Sequence, residues 1–292
     1  MKYSIMCFWP EFNNVYFIDE YCKSHQYTDN YDEASFIIIG SFFNKKTISI
    51  VNSLKCKKLI FITEPWKYSS SHLKRLVERQ KYDKLIGCVS QSDKRIKFPL
   101  YLMDFNFAEE NKFISVNNYV KSCDFNSKQF CCLINRHDEY NTRTKIYEKI
   151  KNIDKIICPG KLFNNTSNEE LEKMGKIEYL KKFKFNICPE NSYIDGYITE
   201  KLFHCCLAGS IPIYYGGFDD IDAKVFNKNR ILFYDSTDSS IDEIYNKINF
   251  FLENNDEFEK FYRQDVFCET AFETCVGLNN DLINYFDSLK ND

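Results

Sequence analysis

The chain has 292 residues, 44% of them hydrophobic and 17% aromatic, with a formal net charge of −3. That length exceeds one typical core and predicts two domains, while the mildly acidic balance excludes a general binder of nucleic acid or of an anionic membrane surface. No apolar run approaches the roughly 18 residues of a spanning helix, and MKYSIMCFWPEF at the N-terminus lacks the features of a leader; a soluble, cytoplasmic chain without a transmembrane segment is expected.

In chain order, the short runs Tyr3–Trp9, Ser35–Phe43, Lys58–Thr63, Lys84–Ser90 and Lys97–Leu102 are rich in Ile, Phe and Tyr. Their length and composition predict strands. Ser69–Tyr82 carries Leu73, Leu76 and Val77 at helical spacing, so strand and helix alternate as in a parallel α/β sheet. Residues 105–127 are polar and Asn-rich, and the linker between two domains, 1–120 and 121–292, is expected there. The last helix of the second domain is a candidate to pack back on the first. Beyond the linker the alternation is clearer. Gln129–Ile134, Lys155–Cys158, Phe185–Cys188, Ile211–Tyr215 and Ile231–Tyr234 read as strands. Thr142–Asn152, Asn168–Lys182, Tyr197–Leu207 and Ile241–Asn254 read as helices. Repeated βα units predict a doubly wound sheet, whose ligands bind beyond the carboxyl ends of the strands.

Thirteen cysteines contain no C-x-x-C pair, and four histidines are scattered at 25, 72, 137 and 204. Zinc needs clustered ligands at short spacing, so no metal site is expected and the cysteines read as buried thiols. Cys268 with Cys275 is the pair for which a disulfide stays open.

The densest chemistry lies in PENSYIDGYITEKLFHCCLAGSIPIYYGG, residues 189–217. On a helical wheel, Ile198, Leu202 and Cys206 share one side, and Tyr197, Glu200, Lys201 and His204 the other. A helix start offers free N–H groups and a partial positive charge that suit a phosphate or diphosphate. Lys201 adds a cation. Glu200 would repel phosphate and suits sugar hydroxyls instead. The bland alternative is a capped surface helix with an ordinary Glu–Lys face.

The run FNICPENSYIDGYITEKLFHCCLAGSIPIYYGG closely resembles the donor-binding motif of the α-1,3-fucosyltransferases of glycosyltransferase family 10, in which E-N-S leads to Y-(I/V)-T-E-K and A-G-x-(I/V)-P-(I/V). The resemblance implies a GT-B fold, two Rossmann-like α/β domains facing each other across a cleft, with the donor in the C-terminal domain and the acceptor on the N-terminal one. It implies inverting transfer of L-fucose from GDP-fucose to a hydroxyl of GlcNAc or glucose in an oligosaccharide or glycoconjugate, most simply in α-1,3 linkage, with no cofactor and no metal needed for chemistry. By the same resemblance Glu200 and Lys201 contact ribose and diphosphate, and Asn191 and Tyr197 join the donor site. Of Arg136 and Arg143 in CLINRHDEYNTRTKIYEKI, Arg143 fits the family arginine better. PGKLFNNT puts Gly160 and Asn165 near the donor, and Glu190 faces either the sugar or its own loop. KLIFITEPW ends a strand in Glu64, which matches the family's catalytic base. The loop DDID at 219–222 lies outside these positions and is read as carrying no metal. The sequence departs from the pattern in Pro189, where an aromatic is commoner, and in a divergent N-terminal part. Two alternatives remain: another GT-B enzyme using a different nucleotide sugar, and a non-catalytic glycan- or nucleotide-binding protein.

Overall fold

The β-branched and aromatic runs of the N-terminal part form an all-parallel sheet in the computed structural model, which describes residues 1–7, 18, 20–42, 45–64 and 71–291. Its strands are β1 (Lys2–Met6), β2 (Gln26–Tyr27), β3 (Phe36–Ile39), β4 (Lys57–Ile62), β5 (Lys84–Gly87) and β6 (Arg95–Lys97). Their order is β2-β1-β3-β4-β5-β6, every pair parallel. Parallel sheets are covered on both faces, and β3 shows it: Phe36, Ile37, Ile38 and Ile39 are all buried. Ile37 and Ile39 join Ile60, Ile62, Val51, Leu73 and Leu76 in one cluster, with helices α1 (Lys45–Ser53) and α2 (Ser71–Glu78). Phe36 points the other way, stacked on Tyr3 at 5.7 Å and in contact with Phe286. This first unit comprises Met1–Asp104, Asp195–Tyr197 and Cys275–Asp292.

The second unit comprises Phe105–Ile194 and Ile198–Thr274. Its strands are β7 (Gln129–Leu133), β8 (Ile156–Ile157), β9 (Phe183–Ile187), β10 (Ile211–Tyr214) and β11 (Leu232–Phe233). They are parallel in the order β11-β10-β9-β7-β8. The helices are α3 (Lys112–Ser122), α4 (Thr142–Ile150), α5 (Glu169–Met174), α6 (Lys176–Leu180), α7 (Glu200–Leu207), α8 (Asp238–Glu253) and α9 (Asn255–Tyr262); α10 (Ala271–Ser288) closes the chain. From β7 the chain steps to β8 on one side and returns to β9 on the other. The direction of winding therefore reverses between β7 and β9, the place where doubly wound sheets bind ligands.

Two sequence expectations change. Residues 105–127 are not a bare linker: α3 buries Phe113, Val116 and Val120, spaced three and four apart along one stripe. Within it Asn117 is a tertiary bracket, accepting from Val266 N (2.8 Å) and Phe267 N (3.0 Å) and donating to Phe267 O (2.9 Å). The helix expected over Asn168–Lys182 is two, broken at Gly175, whose φ of +82° leaves the helical region. Of the options the sequence left open, the Cys268–Cys275 disulfide is not formed, and among the described residues no cysteine is disulfide-bonded; the Cys268 thiol donates to Ala223 O. The predicted strand residues Phe8, Trp9 and Phe43 lie outside the described residues. Among the described residues no helix is long and apolar enough to cross a membrane.

Candidate active site

The carboxyl ends of β7, β8 and β9 feed three loops that meet at the point where the winding reverses. The β7 loop enters α4 through Asn141, held in the left-handed conformation at φ 59°, and the Asp138 carboxylate accepts from Thr144 N at 2.7 Å. One residue into α4, Arg143 is buried and spans the gap to β9. Its guanidinium donates to His137 O and to the Asn191 side-chain oxygen, both at 2.6 Å. Arg136, the alternative, is exposed on the same loop. The structure therefore brings Arg143 and Asn191 together across the reversal.

The β8 loop is pressed against the β7 loop. A Cβ at Gly160 would lie 2.4 Å from Asn135 O, so only glycine permits this approach. Phe163 stacks on Tyr147 of α4 at 4.1 Å. Asn165 is spent on its own loop: its oxygen accepts from Cys158 N and its amide donates to Ile156 O, each at 2.8 Å. Gly160 and Asn165 thus shape the loop through the backbone. Asn135, which the sequence reading passed over, carries a buried Oδ1 that has no hydrogen-bond partner among the described residues. A buried acceptor in that state calls for a donor.

At the end of β9 lies a compact charge cluster. Glu190 is 1% exposed. One carboxylate oxygen accepts from Thr199 N (2.8 Å) and Tyr214 Oη (3.4 Å). The other accepts from Thr199 Oγ1 (2.7 Å) and Lys201 Nζ (3.3 Å). Lys201 also donates to Thr199 Oγ1 (3.0 Å) and pairs with Glu200 (3.3 Å). Tyr214 reaches Glu190 only because position 216 is glycine; a Cβ there would sit 2.2 Å from Tyr214 Oη and 2.9 Å from Glu190 Cγ.

These contacts explain why α7 starts where it does. A helix was expected from Tyr197; it begins at Glu200, because Thr199 is extended and caps Lys201 N with its side chain. Glu190 holds that cap in place. Tyr197 therefore precedes the helix, is buried, and groups with the first unit. The apolar stripe is also wider than expected, since Phe203 and Cys205 are buried with Leu202 and Cys206. Lys201 and Glu200 keep side-chain exposures of 16% and 40%, so both present charge to solvent while Glu190 does not.

Burial pushes the Glu190 carboxyl above the usual carboxylate range, against the pull of the Lys201 ammonium. Burial also pushes Glu200 up, but Lys201 and Lys176 outweigh it and hold Glu200 below its ordinary value. For Lys201, burial is outweighed by Glu190 and Glu200, and its ammonium is held above the ordinary lysine value. The cluster is a fixed cation framed by a shielded carboxylate and an open one, at a helix N-terminus.

In the first unit, Glu64 stands two residues beyond β4, partly exposed. Its neighbour Thr63 is tied to β3's end, its N–H donating to Ser41 Oγ at 3.1 Å. Pro65 and Trp66 lie outside the described residues. In the DDID loop, Asp219 accepts from Ile221 N and Asp222 N, and Asp222 accepts from Asp219 N, so both carboxylates cap a short turn. Among the described residues no group of three or more His, Cys, Asp or Glu side chains is arranged to hold a metal ion.

Residues 123–272, just over half of the chain, match the family model described as glycosyltransferase family 10 (fucosyltransferase) C-term. A 4-galactosyl-N-acetylglucosaminide 3-alpha-L-fucosyltransferase 9 of Cricetulus griseus is 30% identical over 103 residues, 35% of this chain and 28% of that protein. The matched stretch thus spans less than a third of this relative. Among solved structures, an alpha1,3-fucosyltransferase superposes with a TM-score of 0.67 at 17% identity, covering 97% of this chain and 90% of that one. The same kind of enzyme with GDP-fucose gives 0.65 at 17% identity over the same shares. These likenesses assign the fold, two parallel α/β units of the GT-B type.

Proposed function

The chain belongs to glycosyltransferase family 10, and from that premise we propose that it is an inverting α-1,3-fucosyltransferase. It moves L-fucose from GDP-fucose to a hydroxyl of GlcNAc or glucose in a glycan. The observation that carries the reading is the arrangement at the reversal point of the second sheet. Arg143 is locked to Asn191, and Lys201 is locked to Thr199 and Glu190, at the start of α7. The named activities of the matching relative and neighbours support the choice of sugar and linkage.

In this reading Lys201, Arg143 and the N–H groups at the start of α7 bind the diphosphate. As GDP departs, negative charge grows on its β-phosphate, and fixed cations and dipoles stabilise it without solvent reorganisation. Glu200, ionised and partly exposed, accepts from the ribose hydroxyls. Glu190 orients Thr199 and Lys201 rather than meeting the donor, because its own oxygens are fully engaged. Glu64 takes the proton from the acceptor hydroxyl as that oxygen attacks the anomeric carbon from the face opposite GDP. No cofactor or metal is assigned a step. The setting proposed is the cytoplasm, where disulfides are rare and the thirteen cysteines of the sequence would stay reduced.

Glu64→Gln tests the mechanism. GDP affinity should stay within about twofold, while transfer from GDP-fucose on a glycan array falls on the order of 10²–10⁴-fold. Full turnover by the variant would remove Glu64 from the role of base. Preference of the wild-type protein for a UDP-sugar in calorimetry would overturn the donor assignment.

A further inference from the structure

Beyond Asn191, the β9 loop carries a large aromatic side chain into solvent. Tyr193 is 53% exposed, and it is not an isolated surface residue. Its ring lies 5.8 Å from that of Tyr215, just past β10, at 59°. Tyr215 in turn lies 6.0 Å from Tyr234, just past β11, at 45°. Tyr215 is half-buried and Tyr234 is buried. Three successive strand ends of the second sheet thus contribute one tyrosine each, and the tier grows more exposed toward the proposed donor loop.

The tier is held still. Glu190 N donates to Tyr215 O at 2.7 Å, which fastens the root of the β9 loop to the residue whose ring backs Tyr193. Asn191 is clamped by Arg143 at 2.6 Å. Tyr193 therefore stands two residues beyond a pinned position, with a second ring behind it. A single exposed apolar side chain needs no explanation. A backed aromatic pair on a loop clamped at its root is a different object, because the entropy of ordering it is already spent in the free protein.

We propose that Tyr193, backed by Tyr215, is a stacking platform for a pyranose ring. An aromatic face carries negative charge density and its edge positive. The axial C–H bonds on one face of a pyranose are weakly positive and apolar, so they pack on such a face. The sugar's hydroxyls then lie at the rim, where the tyrosine hydroxyl is available. The two tilts, 59° and 45°, make a stepped surface rather than a flat slot, which suits a puckered saccharide better than a nucleobase. The inference rests on the fucosyltransferase reading for its choice of sugars, and the pyranose is either the fucose of the donor or a unit of the acceptor glycan.

The experiment compares wild type with Tyr193→Ala and Tyr193→Phe, with melting temperature as a folding control. Calorimetry gives affinities for GDP and GDP-fucose, and kinetics gives KM for 4-galactosyl-N-acetylglucosamine. The platform predicts unchanged GDP affinity in Tyr193→Ala. It also predicts either a roughly five- to tenfold loss in GDP-fucose affinity relative to GDP, which assigns the donor sugar, or a rise of that size in acceptor KM, which assigns the acceptor. Tyr193→Phe should restore most of the loss. Unchanged sugar constants in Tyr193→Ala, or an equal loss for GDP and GDP-fucose, overturns the proposal. If wild type fails to bind GDP, the functional reading falls separately. The platform is then decided on a glycan array alone, where Tyr193→Ala must lose saccharide binding that wild type shows, and equal binding by both overturns it.

Discussion

The two ends of α7 each bury a charged side chain, and they use it in opposite ways. At the C-terminal end Arg230 is 1% exposed and each of its three guanidinium nitrogens is engaged. It donates to Gly209 O (2.7 Å), Ser210 O (2.9 Å) and Tyr262 O (3.0 Å), and its guanidinium lies over the Tyr262 ring. At the N-terminal end Glu190 is equally buried, but the charge it holds, Lys201, keeps contact with solvent beside Glu200. Buried charge alone therefore does not mark a site. What marks it is a chain of contacts that ends on an oriented group still reached by solvent. The first arrangement fixes the helix against its neighbours; the second aims a cation.

The contrast can be broken at either end. Arg230→Ala should give the largest stability effect, on the order of 3 kcal/mol or more, since three buried carbonyls lose their donor. Urea unfolding would measure it. Calorimetry on the folded variant should return a GDP affinity close to wild type, and a large loss would mean that the two ends are not independent. The pH dependence gives a smaller effect and sharpens the other end. The Glu190 carboxyl is raised above its ordinary value near 4.5. Stability from this group is therefore fully present below that value and lost as pH rises through the higher, folded one. Glu200, held below its ordinary value, acts in the opposite sense, losing its contribution as pH falls through its lower folded one. Urea midpoints of Glu190→Gln should accordingly lack the decline that wild type shows above pH ~4.5 and keep the acid limb. Parallel profiles for the two proteins would contradict the assignment.

Much of this was legible in the residues themselves. Runs such as Phe36–Ile39 announce a doubly covered strand by unbroken hydrophobicity. The Glu190–Lys201 stretch announces a site by its density of unlike groups. The start of α7 was not legible, because periodicity counts Tyr197 and Ile198 as helical. The contact that stops the helix, Glu190 on Thr199, joins residues nine apart through a buried carboxylate. The cap signal, a threonine directly before Glu200, was present and outweighed. α3 was hidden by its asparagines, and Asn117 is polar because it satisfies backbone groups 149 and 150 residues away. Composition reports a local average, and these are specific distant pairings.

The central claim is that the start of α7, through Lys201, binds the diphosphate of a guanine nucleotide. Calorimetric titration of GDP into wild type and Lys201→Ala tests it most directly. Loss of a charge-assisted contact worth roughly 1.5–3 kcal/mol predicts an affinity lower by about 10- to 150-fold in the variant. Equal affinity in the two proteins, or no binding of GDP by wild type, would contradict the account.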